Sequence, residues 1–109
     1  MQRKTDEGIT IACDFCGTDW DEVLPMIEGH RGSVICLECV KQAIDGIAPV
    51  DVEVQCAMCL QPVPAGSPRW RPDAAESANP EAAICTDCMK QAAGAFSKDP
   101  DVPFNWRKR

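Results

Sequence analysis

Eight cysteines stand in four identical Cys-x-x-Cys pairs: Cys13 and Cys16, Cys36 and Cys39, Cys56 and Cys59, Cys85 and Cys88. One such pair lets two sulfurs reach the same ion across a tight turn or the first turn of a helix. Two pairs complete a tetrahedral thiolate site with metal–sulfur bonds of about 2.3 Å. The spacing therefore predicts that all eight cysteines are metal ligands, in two sites that hold two Zn2+ per chain. A disulfide framework does not explain four identical pairs, and a redox-active dithiol needs one activated pair beside a βαβ pattern, which is not visible. Four thiolates also suit iron, and Gly17 after Cys16 fits a rubredoxin-like knuckle. Val40, Leu60 and Met89 hold the equivalent places after the other pairs, so zinc is the preferred metal.

A metal also answers a problem of composition. Leu, Ile, Val and Phe supply only about a fifth of the 109 residues and the formal charge is −6, values at the border of disordered chains. Units of about 45 residues bury too little apolar surface to fold without a staple. Bound zinc supplies one.

The two halves align. I-T-I-A-C-D-F-C from Ile9 matches V-E-V-Q-C-A-M-C from Val52, and V-I-C-L-E-C-V-K-Q-A-I from Val34 matches A-I-C-T-D-C-M-K-Q-A-A from Ala83. The first pairs are offset by 43 positions and the second by 49, so the second copy carries six extra residues between its pairs. A tandem duplication groups Cys13, Cys16, Cys36 and Cys39 in one site and Cys56, Cys59, Cys85 and Cys88 in the other. Each second pair opens a helical pattern, with apolar stripes Val40, Ala43, Ile44, Ile47 and Met89, Ala92, Ala93, Phe96. Gly46, before Pro49, and Gly94 are expected to mark where these helices fray or stop. The expected fold is small α+β and metal-stabilised: two tandem treble-clef or zinc-ribbon-like units, each a knuckle, a β-hairpin and a short helix. The expected divisions are a flexible N-terminus over 1–8, zinc unit 1 over 9–50, zinc unit 2 with a hairpin insertion over 51–97, and a C-terminal tail over 98–109. Apolar helix faces left over from each unit are expected to meet, giving a monomer with a pseudo-twofold repeat pair, or a weak homodimer.

The first unit, C-D-F-C-G-T-D-W-D-E-V-L-P-M-I-E-G-H-R-G-S-V-I-C-L-E-C-V, resembles the zinc-binding N-terminal domain of ClpX, a Clp-type AAA+ unfoldase. Cys13, Phe15, Cys16, Gly17, Glu22, Val23, Met26, Ile27, Gly29, Ile35, Cys36, Glu38 and Cys39 carry the resemblance. It implies a dimerising treble clef that captures adaptor tails or substrate segments. The second unit has Met58 and Leu60 in place of Phe15 and Gly17, and the chain has no GxxxxGK[ST] motif for an ATPase.

The expected function is thus a non-enzymatic interaction or adaptor module that recognises protein segments, linked to Clp-type proteolysis. Its partner is another protein, bound through Phe15, Trp20, Val23, Met26, Ile27 and Trp70. Trp70 lies in the P-R-W-R-P run at 68–72, a candidate binding loop. Closed four-thiolate sites leave no position for water, and the single histidine, His30, excludes HExxH chemistry. The alternatives are a zinc-ribbon transcriptional regulator and a thiol-based redox sensor. Seventeen acids against eleven bases disfavour nucleic acid. No apolar run spans a bilayer, and the start, M-Q-R-K-T-D-E-G, does not resemble a secretory signal, so the expected setting is the cytoplasm. The tail D-V-P-F-N-W-R-K-R alternates apolar and polar residues and could add as a strand to a sheet edge.

Overall fold

The computed structural model describes residues 2–6, 8–21, 23–29, 32–72, 82–100, 102 and 104. His30, Glu22, the insertion at 73–81 and the tail beyond 104 lie outside the described residues. No helix among the described residues is long and apolar enough to cross a membrane.

The chain opens with a hairpin, β1 (Gln2–Thr5) against β2 (Gly8–Ile11), so the stretch expected to be flexible is a paired strand up to Thr5. The turn between them places Gly8 at φ 126°, open to glycine alone at no steric cost. After the first knuckle come β3 (Met26–Glu28), β4 (Val34–Cys36) and α1 (Leu37–Gly46). The chain then runs through β5 (Ala48–Pro49), β6 (Val54–Gln55), β7 (Pro62–Val63), β8 (Pro68–Trp70) and β9 (Ile84–Cys85) into α2 (Thr86–Lys98).

The duplication is written in the hydrogen bonds. In the first copy Cys13 N–H donates to Thr18, Gly17 N–H to Cys13 and Asp14 N–H to Val34; in the second, Cys56 N–H donates to Gln61, Leu60 N–H to Cys56 and Ala57 N–H to Ala83. The sheet register agrees: Met26 pairs with Cys36 and Ile27 with Ile35, while Arg69 pairs with Cys85 and Trp70 with Ile84. The offset changes from 43 to 49 between Trp70 and Ile84. The six extra residues therefore sit in the β8–β9 connection, and Trp70 occupies the place of Ile27.

The copies are joined by more than a linker. α1 packs on α2, burying Leu37, Val40 and Ala43 of one and Met89, Ala92, Ala93 and Phe96 of the other. Gly94 does not end α2, which continues to Lys98. Burial of Phe96 outweighs the cost of about 1 kcal/mol for an interior glycine. β5, which follows α1, crosses to pair with β8, making the three-stranded sheet β5-β8-β9. Trp70 from the second copy stacks on Phe15 from the first knuckle, with ring centroids 5.8 Å apart. A Cβ on Gly46 would stand 2.9 Å from the Trp70 ring. Reciprocally, Met58, the counterpart of Phe15, presses on Gly29 in the first copy: a Cβ there would lie 2.7 Å from the Met58 carbonyl oxygen. Each knuckle thus reaches the other copy, the mutual pattern of a twofold interface. One core of buried side chains spans both copies, and Val102 and Phe104 from the tail belong to it.

Candidate metal centres

The ligands are placed twice by the same device. Each knuckle holds its first cysteine by backbone bonds at both ends. Each second pair straddles a helix start, with Cys36 and Cys85 in extended conformation at the N-cap and Cys39 and Cys88 on the first turn. Among the described residues no side chain caps either helix. The N–H groups of the first turn and the positive helix end there favour thiolate over thiol.

Cys13, Cys16, Cys36 and Cys39 bring their sulfurs within 4.8 Å of one another, and so do Cys56, Cys59, Cys85 and Cys88. Cys13 Sγ lies 3.7 Å from Cys39 Sγ, Cys16 Sγ 3.7 Å from Cys36 Sγ, and Cys59 Sγ 3.9 Å from Cys85 Sγ. A tetrahedron with zinc–sulfur bonds of about 2.3 Å has edges of about 3.8 Å. The donor set and its spacing fit zinc, and the two groups are positioned to bind two zinc ions. The pairing follows the duplication, with no ligand shared between copies.

Around the sulfurs, Phe15 and Cys36 N–H each donate to Cys13 Sγ at 3.4 Å, and Cys85 N–H donates to Cys56 Sγ at 3.5 Å. Hydrogen bonding with the Cys36 and Cys39 sulfurs holds Cys13 well below the ordinary thiol range. Cys36 is pushed up to about 12, chiefly by Cys13, and Cys39 is raised by Cys13 and Cys36. In the second group burial raises Cys85 and Cys88. Burial also acts on Cys56, but N–H groups of Cys59, Cys85 and Met58 outweigh it and bring Cys56 down. Four sulfurs so close cannot all ionise alone; a divalent cation removes that penalty and displaces the remaining protons. When bound, zinc supplies structural cross-linking, and the cysteines use every position of a tetrahedral ion.

One comparison bears on the first copy. Residues 11–48 match the ClpX C4-type zinc finger. The match covers about a third of the chain, spanning the first four cysteines, the β3–β4 hairpin and α1. The second four-cysteine group, at 56–88, fits a tandem duplication of that finger, and the 109-residue chain holds no ATPase domain. Searches of curated proteins and of solved structures returned no match.

The residues expected to bind a partner do not form one surface. Phe15 is fully buried and Trp70 is 8% exposed, so both rings are core, packed against each other between the copies. Pro68, Arg69 and Trp70 of the P-R-W-R-P run form strand β8 rather than a loop. Its Arg69 is also buried, and its guanidinium donates to the carbonyls of Ser67, Val52 and Pro64, tying the linker down. Trp20 and Val23 are 46% and 81% exposed. Asp21 accepts from the N–H groups of Val23 and Leu24, which bends the chain behind Trp20 and lowers the Asp21 pKa. Met26 and Ile27 are half-buried and line one groove with Ile11, Trp20, Glu28 and Val34. Ile11 was missed as a groove residue, although its place in the alternating strand before Cys13 signalled it.

Proposed function

We propose that the chain is a zinc-dependent protein-binding module that takes an extended protein segment along the outer edge of β3. The ClpX zinc finger is a protein-interaction domain rather than a catalytic one, and the match to it supports this class. The observation that carries the reading is a pair of equivalent grooves. Ile11, Met26, Ile27 and Glu28 line the groove of the first copy; their counterparts Val54, Arg69, Trp70 and Arg71 line the groove of the second. In the second copy β5 lies in that groove as a strand on β8. In the first copy no described strand pairs with the outer side of β3.

The edge is oriented to receive one. Leu37 N–H donates to Pro25 and Gly29 N–H to Ser33, so positions 25, 27 and 29 face β4. Met26 and Glu28 then turn their N–H and C=O groups outward, as antiparallel pairing requires. Trp20 and Ile11 offer apolar contact beside that edge, and Glu28, Asp19 and Asp21 favour a segment with basic side chains. Backbone pairing supplies affinity and the flanking pockets selectivity. In this reading the second copy replaces a dimer partner, the protein is monomeric and cytoplasmic, and its ligand is an adaptor, a substrate or a component of a Clp-type machine.

A pull-down from the native cytoplasm tests the proposal, with zinc-loaded and metal-stripped protein as bait. Capture of a specific protein by the zinc-loaded chain is expected, with loss on Trp20→Ala. It should also be lost on Glu28→Pro, which removes one outward N–H without touching the β4 ladder. Capture indifferent to both variants would refute the β3 edge as the site.

A further inference from the structure

The two metal centres share a ligand pattern but not an environment. In the first, Cys13, Cys36 and Cys39 are buried and Cys16 alone is half-buried. In the second only Cys56 is buried, while Cys59, Cys85 and Cys88 are half-buried. Those three cysteines line a surface groove beside Gln61 and Pro68, and Cys59 and Cys88 also line another that reaches Gly29. A dissolved reactant therefore meets the second group from two sides.

The local scaffold is weaker there as well. Leu60, the residue after Cys59, sits at φ 64°, a conformation that costs a side-chain-bearing residue free energy and that Gly17 adopts in the first copy. In the first copy the Asp14 carboxylate accepts from Val34 N–H at 2.5 Å, clamping knuckle to hairpin; its counterpart Ala57 has no such group.

We propose that the second centre is an oxidation-sensitive zinc site that opens before the first, with Cys59 as the sulfur oxidised first and a hydroperoxide as the reactant. The Cys59 thiolate attacks the O–O bond, forming a sulfenic acid, and the departing oxygen takes a proton and leaves as water or an alcohol. The Cys85 thiolate, its sulfur 3.9 Å away, then displaces the sulfenic oxygen, which takes a second proton and leaves as water. Two thiolates give up two electrons to the peroxide and a disulfide forms, which would leave only Cys56 and Cys88 to hold a zinc ion. The first centre, in the same molecule, is the internal control.

The test treats the zinc-loaded full chain with a small excess of hydrogen peroxide. A chromogenic chelator follows zinc release, and differential alkylation with peptide mass spectrometry assigns each sulfur. One zinc per chain should leave at least about ten-fold faster than the other, since susceptibility follows thiolate exposure. Cys59 and Cys85 should be joined while Cys13, Cys36 and Cys39 stay reduced, and reductant with added zinc should restore the starting state. Release of both ions at one rate, earlier oxidation of the first group, or retention of both ions would overturn the proposal.

Discussion

Replacing Trp70 by alanine probes whether the two copies form one body. The ring is 8% exposed, stacks 5.8 Å from Phe15, and lies so close to Gly46 that a single added carbon would stand 2.9 Å from it. Truncating a buried aromatic of this size costs about 3–5 kcal/mol, because the surroundings collapse only partly into the space. Of that, about 0.5–1.5 kcal/mol belongs to the aromatic pair, measurable as the coupling in a cycle with Phe15→Leu. Thermal unfolding followed by far-UV circular dichroism, at fixed zinc and protein concentration, reads the loss. At roughly 4 °C or more per kcal/mol for a domain of this size, the midpoint should fall by about 12 °C or more. The NMR signals of Phe15 and Gly46, in the other copy, should shift with it. A fall below about 4 °C with those signals unmoved would mean that the ring does not bridge the copies.

The knuckles give a paired prediction. Gly17→Ala, at φ 79°, should destabilise the zinc-loaded chain by about 1–2 kcal/mol in denaturant. Leu60→Gly should change it by less than about 1 kcal/mol, because relief at φ 64° is offset by lost packing and added chain freedom; equal costs at the two positions would contradict the strain argument. The pH dependence of zinc affinity has a definite sign. With Cys36 pushed up to about 12 and Cys39 and Cys88 also raised, the metal-free groups hold protons at neutral pH that zinc has to displace. Affinity should therefore rise from pH 6 to pH 8 in a competition titration with a chelator of known proton affinity, and a flat profile would contradict proton release.

The ligand sets, their grouping and the helix starts were legible because Cys-x-x-Cys spacing and the repeat offsets are local properties of the chain. The apolar stripes on α1 and α2 were legible for the same reason. What escaped was set by contacts between the copies. Phe15 and Trp70 have the composition of an interface and do form one, but an internal one. The offset of 43 that equates Trp70 with Ile27 already placed it on a hairpin strand rather than in a loop. β1 was hidden because Q-R-K-T has no apolar alternation, and its pairing depends on a partner strand across a short turn. The burial of Val102 and Phe104 follows from where α2 delivers the chain after Lys98, a point that no local pattern fixes.

Zinc content and zinc dependence of the fold, measured on one sample, test the central claim most directly. Native mass spectrometry should find two zinc ions per chain. Their removal by a strong chelator should abolish the dispersed NMR spectrum, because structural zinc contributes on the order of 10 kcal/mol of folding free energy per site. A chain that carries fewer than two ions when zinc is in excess, or that keeps its dispersed spectrum after both are removed, would contradict the account.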